Sequence, residues 1–181
     1  IAVDKYASKY GGENAAMMAM NPKTGEILAM VGSKDWNAPA VPEGCILGDT
    51  CKFESKVNVT TTKQSPGSSI KAFIYYAGIM EGKINAASNM ADVPIKIGSY
   101  DPKNYEGGFT GMHPARWMLA QSRNIPAIQI ADAVGVDKMI NDYLKKFGYT
   151  TLDNPSGYGT SIAVGGLDIT MVDHTQAYSV L

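Results

Sequence analysis

A serine and a lysine three positions apart are the first residues in this chain whose types and spacing suggest chemistry. In Ser68-Ser-Ile-Lys71 the two would share one helix face, because residues three apart on a helix are neighbours. A serine hydroxyl is a weak nucleophile until a base sits beside it. A lysine one turn away, partly withdrawn from water, can shed its proton and serve as that base. A serine at a helix N-terminus also lies near free backbone N–H groups and the positive dipole end, which favour a developing oxyanion. Spacing alone does not separate this pair from a capping serine followed by a surface lysine. Twelve serines and fourteen lysines among 181 residues yield about one such match by chance.

Composition narrows the rest. Net charge is −1, so the chain lacks the basic footprint of a nucleic-acid binder. Hydrophobic residues make up 45% and charged residues 18%, a globular composition rather than a disordered one. No stretch reads as a signal peptide, and no apolar run reaches the length of a membrane span. Cys45 and Cys51 are too few for a tetrahedral zinc site, and His113 and His174 are remote from them in sequence. The two cysteines read as a small disulfide loop, or else as two free thiols in a variable loop. The chain begins on Ile1 and finishes on the uncapped apolar segment Ala177-Tyr-Ser-Val-Leu181, so the expectation is a part of a longer protein.

The elements that must position these residues are partly legible. Val3, Tyr6 and Tyr10 have a short helix-like spacing that Gly11-Gly12 ends. Residues 15–20 and 26–32 read as two apolar strands around the turn Asn21-Pro-Lys-Thr-Gly-Glu26. Residues 33–66 read as a long loop. Ile70, Phe73, Ile74, Ala77 and Met80 have helical spacing over 69–81. Residues 83–112, rich in Gly and Pro, read as irregular. Helices are expected over about 114–121, 125–133 and 137–147, the last closed by Gly148, and from about Asp168 to the end. Two strands alone make a poor sheet. Both faces of the hairpin are apolar, and no further strong strand candidate stands out, so more sheet is expected from elsewhere.

The neighbourhood of the serine carries a resemblance. Lys63-Gln-Ser-Pro-Gly-Ser68-Ser-Ile-Lys71-Ala-Phe73 is followed by Leu119-Ala-Gln-Ser122-Arg-Asn124-Ile-Pro-Ala127. These strings resemble the transpeptidase domains of penicillin-binding proteins, more closely the bifunctional class A type. Asn21-Pro-Lys-Thr-Gly-Glu-Ile-Leu-Ala-Met30, Tyr100-Asp-Pro-Lys-Asn104-Tyr-Glu-Gly-Gly108 and Tyr158-Gly-Thr-Ser-Ile-Ala-Val-Gly-Gly166 look like further landmarks of that family. The five ordered matches cover about residues 13–181, and 1–12 read as a linker or helix leading in. The fold class implied is α/β (α+β), the N-terminal portion of the penicillin-binding and serine β-lactamase-like fold. The C-terminal sheet strands would then lie beyond this chain.

By resemblance, Ser68 would be the acyl-enzyme nucleophile and Lys71 its general base. Ser122 would relay a proton to the leaving amine, and Asn124 would hold Lys71 and the substrate amide. The Ser68 backbone N–H would form half of an oxyanion hole. Ala72 stands where the family usually has proline, and Met112-His113-Pro114 replaces smaller residues. Lys23-Thr24-Gly25 looks like the family's third motif but precedes the nucleophile and sits in a turn, so the resemblance gives it no catalytic part. The same holds for His174, which reads as a helix-face residue. Trp36, Tyr100 and Tyr105 are candidates for the cleft mouth or for packing. The implied activity is D,D-transpeptidation in peptidoglycan synthesis, with D-Ala-D-Ala stem peptides and β-lactam antibiotics as ligands and no cofactor or metal. The parent chain would be membrane-anchored, extracytoplasmic and joined to a glycosyltransferase domain. Two rival readings are a β-lactam sensor or lysine-base serine β-lactamase, and a non-catalytic fragment.

Overall fold

In a computed structural model the chain is described at Lys9 and residues 14–181. The helix-like spacing of Val3, Tyr6 and Tyr10 and the rest of the 1–12 segment lie outside the described residues. The described chain forms two compact units, one of residues 14–64 with 169–181, the other of residues 65–168.

In the first unit, β1 (Met17–Met20) and β2 (Ile27–Val31) pair antiparallel, Met17 facing Val31. Their turn closes through Asn21 N–H to Glu26 O at 2.8 Å and Gly25 N–H to Asn21 O at 2.9 Å. Gly25 takes a left-handed φ of 72°, which glycine adopts without steric penalty. Lys23-Thr24-Gly25 is therefore turn chemistry, in a different unit from Ser68. Met17, Ile27 and Leu28 remain exposed on this hairpin. The final helix of the chain, Met171–Val180, packs against β1. It starts directly after the expected Asp168-Ile-Thr170 segment because Thr170 caps it, its hydroxyl accepting from Asp173 N–H at 3.0 Å. Cys45 and Cys51 are joined in a disulfide.

The second unit is built on α1 (Lys71–Met80) and α3 (Asn124–Val134), which pack together. Ile70, Phe73, Ile74 and Ala77 are buried at α1, as are Ile125, Ile128 and Ala131 in α3. A Cβ on Gly78 would come within 2.6 Å of Ile130 Cγ2. That close approach explains a glycine inside a helix, where it otherwise costs about 1 kcal/mol. Phe73 meets Phe147 and Tyr149 edge-on, at 5.0 and 5.6 Å between ring centres.

The 83–112 region corrects the reading from sequence. β3 (Asn89–Asp92) pairs antiparallel with β4 (Gly111–Pro114), so it is not wholly irregular. Four-residue strands carry too little alternation to register as a pattern. Here they also meet across a long loop, so pairing rather than local sequence creates them. Pro114 closes β4 rather than opening a helix, and α2 runs over Ala115–Ala120. The expected helix over 137–147 is a composite of an α turn at Val136–Lys138, a π turn at Met139–Leu144 and a 3₁₀ turn at Lys145–Phe147.

Candidate active site

Ser68 sits in a 3₁₀ turn, Gly67–Ile70, that leads straight into α1. Pro66 is already in the helical region at φ −73°, and Ser69 Oγ donates back to Pro66 O at 2.6 Å. The approach to the turn is anchored from the far end of the same unit. Ser65 Oγ donates to Gly165 O at 2.6 Å and accepts from Gly67 N–H at 3.3 Å. Gly165 has φ 97°, and a Cβ there would lie 2.5 Å from Gly67 Cα. Only glycine fits, because the clash is with backbone that cannot step aside. Ser68 is exposed, and its hydroxyl has no hydrogen-bond partner among the described residues. It opens on a cleft of about 200 Å³ lined also by Asn104, Tyr105, Ser122, Arg123 and Asn124.

Lys71, one turn along, is only 1% exposed. Its Nζ donates to Ser122 O at 2.6 Å, to Asn124 Oδ1 at 2.7 Å, and meets Ser122 Oγ at 3.2 Å. Burial, followed by the nearby Arg123 charge, lowers its pKa to about 8. Both causes penalise the ammonium form.

Ser122 is delivered to Lys71 by a reversal of the chain. Where α2 ends, Ser122 N–H bonds Leu119 O at 2.9 Å and Arg123 N–H bonds Met118 O at 3.0 Å. Ser122 takes a φ of 52°, left-handed for a residue with a Cβ. That position at a helix C-terminus usually belongs to glycine. Arg123 is extended, and α3 begins at Asn124. Asn124 Nδ2 donates to Lys103 O at 2.9 Å, leaving its oxygen for Lys71.

Lys71, Ser122 and Asn124 are thus joined by hydrogen bonds, and Ser68 shares their cleft. Ser68 and Lys71 share the turn, but no direct hydrogen bond joins them. The reason is that the amine's three donor positions are met by the two Ser122 oxygens and Asn124. Of the aromatic candidates, Tyr105 lines the cleft and is fully exposed, whereas Trp36 and Tyr100 do not line it. His174 lies in the other unit, edge-on to Tyr178 at 5.2 Å, with burial lowering its pKa.

Sequence reasoning missed the groups beneath the cleft. Asp92 is fully buried and paired with Arg123 at 2.8 Å, and Asn104 bridges Asp92 to the Asn124 backbone. Asn104 and Arg123 lie inside strings that the sequence reading quoted. Asp92 had no signal, since only the β3–β4 pairing places it.

Comparison with known proteins shows the family and the fold. A family model described as the penicillin-binding protein transpeptidase domain matches residues 15–181. Penicillin-binding protein 1A of Rickettsia conorii is 35% identical over 173 residues, covering 93% of this chain and 20% of that protein. Its counterpart in Vibrio cholerae is 32% identical over 174 residues, covering 92% of the chain and 19% of the relative. The chain therefore spans about a fifth of the length of the curated relatives it matches. The crystal structure of penicillin-binding protein 1A from Haemophilus influenzae superposes with a TM-score of 0.73 at 30% identity, over 92% of this chain and 23% of that one. A Mycobacterium tuberculosis PonA1 structure in complex with penicillin V has a TM-score of 0.74 at 17% identity, over 99% of this chain and 47% of that one, and shares the fold.

Proposed function

The chain belongs to the penicillin-binding protein transpeptidase family, and from that premise we propose that it performs D,D-transpeptidation in peptidoglycan cross-linking with Ser68 as nucleophile. The observation that carries this reading is the buried Lys71 amine, held by Ser122 and Asn124 at the edge of the cleft that Ser68 faces. Neutral Lys71 accepts the Ser68 proton as Oγ attacks the penultimate D-Ala carbonyl. The Ser68 backbone N–H supports the developing oxyanion. Ser122, whose hydroxyl touches Lys71, passes the proton to the leaving nitrogen. The C–N bond breaks, D-Ala departs and the stem peptide remains esterified to Ser68. An amine of a second stem then attacks the ester, and its proton returns along the same path as Ser68 is freed. A β-lactam carbonyl would acylate Ser68 in the same way. All these steps use side chains and backbone alone.

The resemblance to class A enzymes supports an extracytoplasmic domain, carried by a membrane-anchored parent chain with a glycosyltransferase domain. Among the described residues no helix is long and apolar enough to cross a membrane, so the proposed anchor would lie outside them. The Cys45–Cys51 disulfide is at home in an oxidising compartment.

The test is chemical mapping. The full-length protein treated with a penicillin should carry one acyl adduct, on the peptide containing Ser68. An adduct on any other residue would overturn the assignment. A second expectation concerns Ser122. Ser122→Gly removes the hydroxyl but also the Cβ from a left-handed residue, a conformation that costs roughly 1–2 kcal/mol with a side chain. Acylation should fall while the melting temperature holds or rises. Equal loss of both would mean that Ser122 serves the fold rather than the reaction.

A further inference from the structure

The Asp92–Arg123 ion pair beside the cleft takes no part in the steps above, yet it grips the turn that carries Ser122 and Asn124. Asp92 in β3 is fully buried and Arg123 is 8% exposed. Arg123 donates through Nε to Asp92 Oδ2 at 2.8 Å and through Nη2 to Gly108 O at 3.0 Å. The same Asp92 oxygen accepts from Thr110 N–H and Oγ1, at 3.0 and 2.8 Å. Its other oxygen accepts from Asn104 Nδ2 at 2.8 Å, and Asn104 Oδ1 accepts the Asn124 N–H at 2.9 Å. One carboxylate thereby ties β3, the 104–110 loop and the turn between α2 and α3.

Two features argue against a purely structural role. A buried ion pair is a poor source of stability, since desolvation offsets much of its attraction. Immediately before the two residues it grips, Arg123 and Asn124, stands Ser122, left-handed at φ 52°, and such strain persists only where the surroundings over-determine it. The strained residue is the one whose carbonyl and hydroxyl both reach Lys71.

We infer that Asp92 and Arg123 are positioning residues for the proposed acyl transfer, pinning the Ser122–Asn124 turn onto the Lys71 amine and setting the field there. This rests on the reading of Ser68 and Lys71 given above. The field has opposed sources. The Arg123 guanidinium disfavours the Lys71 ammonium, second only to burial, and Asp92, paired with that guanidinium at 2.8 Å, carries the opposite charge. Tyr75 on α1 is buried, its hydroxyl without a partner among the described residues, and burial, then Asp92, raise its pKa and hold it neutral. Glu106 lines the cleft, and Lys103 on the same loop is exposed and paired with Asp101.

The experiment measures acylation of the full-length protein by a fluorescent penicillin as a function of pH. Arg123→Gln removes the positive charge, so the midpoint of the rising limb should move up by about 0.5–1 pH unit. Asp92→Asn leaves Arg123 unopposed, so the midpoint should move down by a similar amount. Arg123→Lys keeps the charge but not the fork that spans Asp92 and Gly108. Its midpoint should stay while its maximal rate falls about tenfold. Loss of a merely structural pair would lower the rate without moving the two midpoints in opposite directions. Unmoved midpoints, or a shared direction, overturn the field; a wild-type rate in Arg123→Lys overturns the pinning.

Should either single variant fail to fold, Asp92→Asn combined with Arg123→Gln leaves no buried charge unpaired. The double variant should keep a near wild-type midpoint with a reduced maximal rate, and a wild-type rate there refutes the inference. Ser68→Ala is run beside them. Labelling retained in Ser68→Ala would sink the nucleophile assignment itself, whereas labelling lost there with unmoved midpoints elsewhere refutes only the role of the pair.

Discussion

Ser68→Ala should reduce penicillin labelling and D-Ala release to background. An acyl-enzyme needs the Ser68 oxygen, and the nearby hydroxyls are otherwise engaged. Ser69 Oγ is committed to Pro66 O at 2.6 Å, and Ser122 Oγ lies 3.2 Å from the Lys71 amine. The substitution should leave folding almost untouched, because Ser68 is exposed and its hydroxyl has no partner among the described residues. Changes at such positions usually stay within about 0.5 kcal/mol. An unchanged melting curve with no label is the expected pairing. Labelling that survives in a folded Ser68→Ala protein would place the nucleophile elsewhere.

Lys71→Met should slow acylation by about 10²–10⁴-fold, the usual contribution of a positioned base. Methionine is the better probe than alanine because it fills the buried channel and avoids a cavity. Some loss of stability is expected, since Ser122 O and Asn124 Oδ1 lose a donor. In the unaltered protein the rate should climb with pH and level off near the Lys71 pKa of about 8. At pH 7 about a tenth of such a lysine is neutral, against roughly one part in three thousand for an unperturbed one. The linkage has a definite sign. The folded pKa is about 8 against 10.5 for a free lysine side chain, so from pH 8 to 10.5 the unfolded chain binds more protons. This group therefore adds stability as pH rises through that window and opposes folding most below it. A rate independent of pH between about 6 and 9 would remove Lys71 as the base.

Much of this protein was legible before any coordinates. Ser68, Lys71, Ser122 and Asn124 were singled out from two short strings through their resemblance to a family, not through spacing alone, and the fold joins Lys71, Ser122 and Asn124 by hydrogen bonds beside the cleft that Ser68 faces. The hairpin and the helices around Phe73 and Ile128 followed from apolar periodicity and from Pro and Gly at their ends, which are local properties of the chain. Their edges moved by a few residues where a cap decided the matter, as Thr170 did for the final helix. The Cys45–Cys51 pairing was one of two open readings, and proximity in the folded chain settled it.

Tertiary structure alone decided the remainder. β3 and β4 exist through pairing across the 93–110 loop, and no window of sequence contains both partners. Asp92 acquires meaning only there, as the buried acceptor for Asn104, Thr110 and Arg123. The left-handed Ser122 carries no sequence mark, since serine does not advertise a positive φ as glycine does. The i, i+3 spacing does not by itself give the Lys71 partners: the resemblance implied that Asn124 holds Lys71, and the fold adds both Ser122 oxygens. Spacing says which groups can share a helix face, but a buried amine turns to whichever acceptors the packed neighbours supply, and those come from 51 and 53 residues away.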